Sequence, residues 1–192
     1  MIYLSIGKRL GQARKKEAKM EYVYNTTAEA SKGMKAELKA KFPGVKFSVK
    51  SKNYSGGCSI DVSWDFGPTD KAVEKIVSKY QYGRFNGMDD SSSTEYTLMA
   101  LSNGEVKALG GAKFVFTHRG FGKNEAEFLE GVQREICALQ GVEFNGQDTN
   151  IFGKAWNYDQ TARRYAYKAL RALDLTEGYK GVTSELVFAN NW

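Results

Sequence analysis

Between Val45 and Phe66 the chain alternates apolar and polar residues with period two on either side of a glycine pair, and no other feature constrains the fold as tightly. Val45, Phe47 and Val49 alternate with Lys46, Ser48 and Lys50, and Cys58, Ile60, Val62, Trp64 and Phe66 alternate with Ser59, Asp61, Ser63 and Asp65. Successive side chains of a strand point to opposite faces, so each segment reads as a strand with one buried face. The segment between them, Asn53-Tyr54-Ser55-Gly56-Gly57, holds glycines that reach positive φ without a Cβ clash, which predicts an antiparallel hairpin. Its polar face would set lysines opposite aspartates and so help fix register.

Helical periodicity surrounds this hairpin. Thr26 and Glu29 have capping-box spacing, Ala30, Met34 and Leu38 recur every fourth residue, and Pro43 excludes Phe42 from helical geometry, which predicts a helix over 27–41. Gly67-Pro68-Thr69 stops the second strand, and Val73, Ile76, Val77 and Tyr80 form the stripe of a second helix, about 69–80. The segment from Tyr82 to Ser93 is dense in turn formers and reads as a loop, with further strands expected at about 94–100 and 113–118. A third helix, about 125–140, starts near Asn124 and Glu127, shows Phe128, Val132 and Ile136 on one side, and ends before Gly141. A fourth, about 159–173, turns Ala162, Ala166, Ala169, Leu170 and Leu173 inward. The expected fold is α+β: an antiparallel sheet built on the central hairpin and packed by about four helices. Residues 25–192 are expected to form one α+β domain preceded by a basic arm or peripheral helix, 1–24.

Charge is the next discriminating property. The 192 residues hold 28 Lys and Arg against 22 Asp and Glu, and 13 of the cations but only 4 of the carboxylates lie before residue 53. Lys32, Lys35 and Lys39 form a stripe on one face of the first helix, Lys46 and Lys50 follow on the first strand, and Tyr54 stands in the hairpin loop. Arg163, Arg164, Tyr167, Lys168 and Arg171 group on the fourth helix. Such surfaces suit phosphate backbones and acidic proteins alike, although a solvated face, or cations complementing a helix C-terminus, would show the same composition. Tyr54, Tyr82, Phe85 and Trp192 are the aromatic residues least explained by a core.

The chain offers little to catalysis. A single histidine, His118, precludes paired-imidazole acid–base chemistry, and the distant Cys58 and Cys137 read as buried thiols rather than a disulfide or a zinc site. Gly120-Phe121-Gly122-Lys123 lacks the spacing of a phosphate loop, and no nucleophile elbow is present. Asp89 and Asp90, together with Asp61 and Asp65, would be the carboxylates of a metal-dependent nuclease, but turn chemistry and pairing with lysine explain them more simply. No cofactor is expected. No apolar run approaches the roughly 18 to 20 residues needed to span a bilayer, so no membrane partner is expected and a cytoplasmic location is.

The stretches Phe42-Pro43-Gly44-Val45-Lys46-Phe47-Ser48-Val49, Tyr54-Ser55-Gly56-Gly57-Cys58-Ser59-Ile60-Asp61-Val62-Ser63-Trp64 and Gly67-Pro68-Thr69, with Phe85-Asn86-Gly87-Met88-Asp89-Asp90 after them, resemble the large polyvalent protein-associated domain 29 family over about residues 25–100. The resemblance implies an origin on phages, plasmids or integrated mobile elements, whose proteins accompany incoming DNA and protect it from host defences. No active site is established for that family, so it lends no catalytic residue. With the domain standing nearly alone, it implies a small anti-defence inhibitor, an anti-CRISPR or anti-restriction protein, that binds a host defence complex such as a CRISPR effector in a bacterial cytoplasm. The alternative is a nucleic-acid-binding accessory protein of a mobile element. The positive charge departs from acidic mimics of DNA.

Overall fold

The structure, a computed structural model, describes residues 22–88, 90–146, 148–152 and 161–188. Of the expected arm or peripheral helix, 1–24, residues 1–21 lie outside the described residues, as do Asp89 and Trp192.

The hairpin forms as β2 (Ser48–Tyr54) and β3 (Gly57–Asp65), paired antiparallel from Ser48 opposite Ser63 to Tyr54 opposite Gly57. Gly57 closes it at φ 146°, where an L side chain is strained, and a Cβ there would also stand 2.9 Å from the Lys113 side chain. The third strand of this sheet, β8 (Phe114–Gly120), joins β3 in parallel, so the hairpin is antiparallel but the sheet it seeds is mixed. Period-two alternation defines faces and carries no information about strand direction, which is why the parallel pairing was not legible.

One side of this sheet is covered by α1 (Thr27–Lys41) and α2 (Asp70–Val77), the latter extended by a 3-10 turn at Ser78–Tyr80. The predicted capping box is present: Thr26 accepts from the Glu29 amide at 3.2 Å, and the Glu29 carboxylate accepts from the Thr26 amide at 2.8 Å. Met34 and Leu38 from α1, Val73 and Val77 from α2, and Ile60, Val62 and Trp64 from β3 make one buried core.

The expected loop at 82–93 is instead a second hairpin, β4 (Gly83–Asn86) with β5 (Ser91–Thr94). β5 is exposed throughout, so its sequence carries no apolar alternation to betray a strand. A third sheet orders β1 (Tyr22–Tyr24), β7 (Val106–Ala108) and β6 (Leu98–Ala100).

Beyond β8, α3 (Glu125–Leu139), α4 (Ala162–Ala172) and α5 (Ser184–Phe188) enclose a second core. It joins Leu129, Val132 and Ile136 to Ala166, Leu170 and Val187. Asn124 stands at the α3 N-cap as predicted but makes no capping hydrogen bond to the backbone.

Arg119 ties the two cores together. Its guanidinium donates to the carbonyls of Phe66, Gly67, Leu170 and Leu173 at 2.6–2.9 Å, while the Leu175 amide donates to the Gly67 carbonyl at 2.8 Å. Burial lowers the Arg119 pKa, with Asp70 and Asp174 opposing the shift.

Candidate binding surfaces

Among the described residues, the cations of α1 and those of β2 lie on opposite sides of the first sheet layer. Lys32, Lys35 and Lys39 are exposed on α1 away from the buried Ala30, Met34 and Leu38, and so lie on the outer face of the helical layer. Both carboxylates of α1 are engaged within the protein. Glu29 completes the capping box, and its pKa is lowered chiefly by the Thr26 backbone hydrogen bond. Glu37 takes a 2.5 Å ion pair from Lys79 and a 3.0 Å hydrogen bond from the Tyr80 hydroxyl. Burial, followed by that hydrogen bond, pushes Tyr80 up to about 12. None of Lys32, Lys35 and Lys39 enters an ion pair with a described residue, so the outer face of α1 is a cationic stripe that no described carboxylate neutralises.

Lys50 and Tyr54 lie on the other side of the sheet, and Lys46 is exposed just before β2. The register aligns three cross-strand rows on this side: Lys52, Ser59 and Phe114; Lys50, Asp61 and Phe116; Ser48, Ser63 and His118. Lysines therefore occupy one edge, serines and an aspartate the middle, and aromatic side chains the far strand. Lys52 reaches Asp61 at 3.1 Å, so the one carboxylate of the middle row is partnered and Lys50 beside it is exposed. Phe114 and Phe116 stack at 6.1 Å with 22° between their planes, and Phe116 is 46% exposed.

Sequence reasoning missed Phe114 and Phe116. Their signal was present: Phe114, Val115 and Phe116 in succession make both faces of one strand apolar, although only the Val115 face meets the first core.

α4 packs on the second core through its apolar side, and Arg163, Arg164 and Arg171 are exposed. Arg163 and Tyr167 border a cleft of about 740 Å3 with Gln133, Arg134 and Phe144, and Tyr167 and Arg171 border a smaller one with His118, Asp70 and Glu74. Lys168 instead places its ammonium 5.2 Å from the Tyr165 ring, so the α4 residues span a wide arc of the helix. Of the remaining aromatics, Tyr82 stacks on Tyr96 at 5.5 Å and is half-buried, while Phe85 is exposed.

Chemistry finds few footholds among the described residues. No three of His, Cys, Asp and Glu converge to hold a metal ion there. Cys137 is buried, Cys58 is only half-buried beside the Tyr82 hydroxyl at 3.7 Å, and both are free. No helix among the described residues is long and apolar enough to cross a membrane.

The described residues form an α+β scaffold that displays cations and aromatic side chains on open surfaces. Residues 25–122 match the family model of large polyvalent protein associated domain 29, and the chain belongs to that family. Membership places it among the proteins associated with the polyvalent proteins of phages and mobile elements. The match runs from the residue before the α1 capping box to just past β8, so it takes in the first core, while α3, α4 and α5 lie beyond it. No curated protein and no solved structure matches the chain.

Proposed function

We propose that the protein is an anti-defence factor of a mobile element that inhibits a host defence complex, a CRISPR effector or a restriction enzyme, by binding it without catalysis. One observation carries the mode of action: α1 uses both of its carboxylates internally and leaves Lys32, Lys35 and Lys39 facing outward without an ionic partner among the described residues. A rigid helix with unneutralised charge attracts an anionic surface at long range and adds little ordering cost on docking. The mechanism is occlusion of an acidic or phosphate-bearing surface that the defence complex needs. Family membership supports the mobile-element setting.

The test is phage plating on hosts that carry defined CRISPR or restriction systems. Expression of the protein restores plating against the targeted system, and Lys32→Glu/Lys35→Glu/Lys39→Glu abolishes the rescue while the protein still folds. Unchanged rescue by the triple variant refutes α1 as the contact, and absence of rescue across CRISPR and restriction systems refutes the anti-defence reading. A second reading, direct contact with nucleic acid, is favoured by the sheet face opposite α1.

A further inference from the structure

The first sheet has two dissimilar faces. Ile60, Val62 and Trp64 point into the core beneath α1 and α2, whereas the opposite face carries the three rows that begin at Lys52, Lys50 and Ser48. No described helix packs on that second face, and its tall residues are open to solvent: the Lys52 side chain is 67% exposed and Phe116 46%.

A stack of a half-buried Phe114 and an exposed Phe116 leaves apolar ring surface in water that a partner would cover with a gain in free energy. Its surroundings define the cover. The serines of β3 are short, so the middle strand forms a trough between the lysine strand and the phenylalanine strand. These outer strands lie two spacings, roughly 10 Å, apart. With Asp61 held by Lys52, the cationic edge stays positive through Lys50, and Lys113 at the foot of β8 adds a third ammonium 5.5 Å from the Phe114 ring.

We propose that this face binds single-stranded nucleic acid, with bases stacked on Phe114 and Phe116 and the phosphates running along Lys50 and Lys52. Charge complementarity and flat aromatic faces fit that occupant together. A phosphate chain matches the lysine edge, and unpaired bases offer π-faces that stack on the phenyl rings. A duplex hides its base faces within the stack and reaches only the lysines, so it binds more weakly. Recognition is independent of sequence, since every base stacks and no cross-strand row is rich in the amide side chains that read base edges. The inference rests on the second reading, contact with nucleic acid, and stands apart from the anti-defence proposal, which uses the other side of the sheet.

The experiment is fluorescence anisotropy with a labelled oligothymidine and a duplex of equal length, using the full chain at low and moderate salt. Expected are tighter binding to the single strand, a fall in affinity as salt rises, and a loss of about five- to hundredfold for Phe116→Ala. Lys50→Ala/Lys52→Ala also weakens binding and flattens the salt dependence, whereas Lys32→Glu/Lys35→Glu/Lys39→Glu leaves the preference for single strands intact. Near-ultraviolet circular dichroism of each variant verifies the fold, and Phe116→Tyr, which keeps a stacking ring, retains most of the affinity. No binding at low salt, equal binding of duplex, or wild-type affinity in Phe116→Ala would overturn the proposal, the first leaving the face to a protein partner.

Discussion

The guanidinium of Arg119, on the last strand of the first sheet, donates to the carbonyl of Leu170 in α4 at 2.9 Å and to three further carbonyls from both halves of the chain. A planar fork with five donors can satisfy such a cradle, and an ammonium cannot. Arg119→Ala therefore leaves buried acceptors unpaired and costs about 3 kcal/mol of unfolding free energy. Arg119→Lys recovers less than half of that. Urea denaturation followed by tryptophan fluorescence measures both, and a loss under about 1 kcal/mol for the alanine variant would show that the cradle is not what couples the cores.

The two cores respond to truncation separately. Met34→Ala opens space under α1 and Ile136→Ala does so between α3 and α4, both at fully buried positions, and each should cost about 2–5 kcal/mol. Hydrogen exchange localises the damage. Faster exchange in β3 but not α4 is expected for Met34→Ala, and the converse for Ile136→Ala.

Acid should loosen the start of α1. The Glu29 carboxylate is held below its ordinary range by the Thr26 hydrogen bonds, so the folded state binds a proton less readily than the unfolded chain. Its contribution is present above the unfolded pKa, near 4.5, and is lost as the pH falls through the folded value. The melting temperature of Glu29→Gln should therefore fall less between pH 6 and pH 3 than that of the wild type. Parallel curves would remove the capping box as the cause.

Alkali should act at Tyr80, whose hydroxyl donates to Glu37 and whose pKa stands at about 12. The raised value stabilises the fold fully below the unfolded pKa of 10, and the benefit disappears as the pH climbs through 12. Tyr80→Phe should cost about 1 kcal/mol at neutral pH and weaken the loss of stability between pH 10 and 12. Thermal melts across that range provide the comparison.

What the sequence revealed follows from where burial is one-sided. α1 emerges at its predicted bounds because its capping residues and buried stripe are both local signals, and the hairpin because Ile60, Val62 and Trp64 meet the core while Ser59, Asp61 and Ser63 do not. β4 and β5 escaped because Ser91–Thr94 buries nothing, and the parallel entry of β8 because pairing across some fifty residues leaves no local trace. Lys50 and Tyr54 were legible as surface residues, but their separation from Lys32, Lys35 and Lys39 was not. Only the packing of α1 against the opposite face of β2 and β3 divides a single run of cations into two surfaces.

Occupation of a surface of a host defence complex, the mode of action proposed for the protein, is tested most directly by titrating that complex's nuclease activity with purified protein. Inhibition is expected to saturate at a fixed molar ratio of protein to complex and to be lost with Lys32→Glu/Lys35→Glu/Lys39→Glu. Full inhibition at a small fraction of that ratio, growing with incubation time, would instead reveal turnover and contradict it.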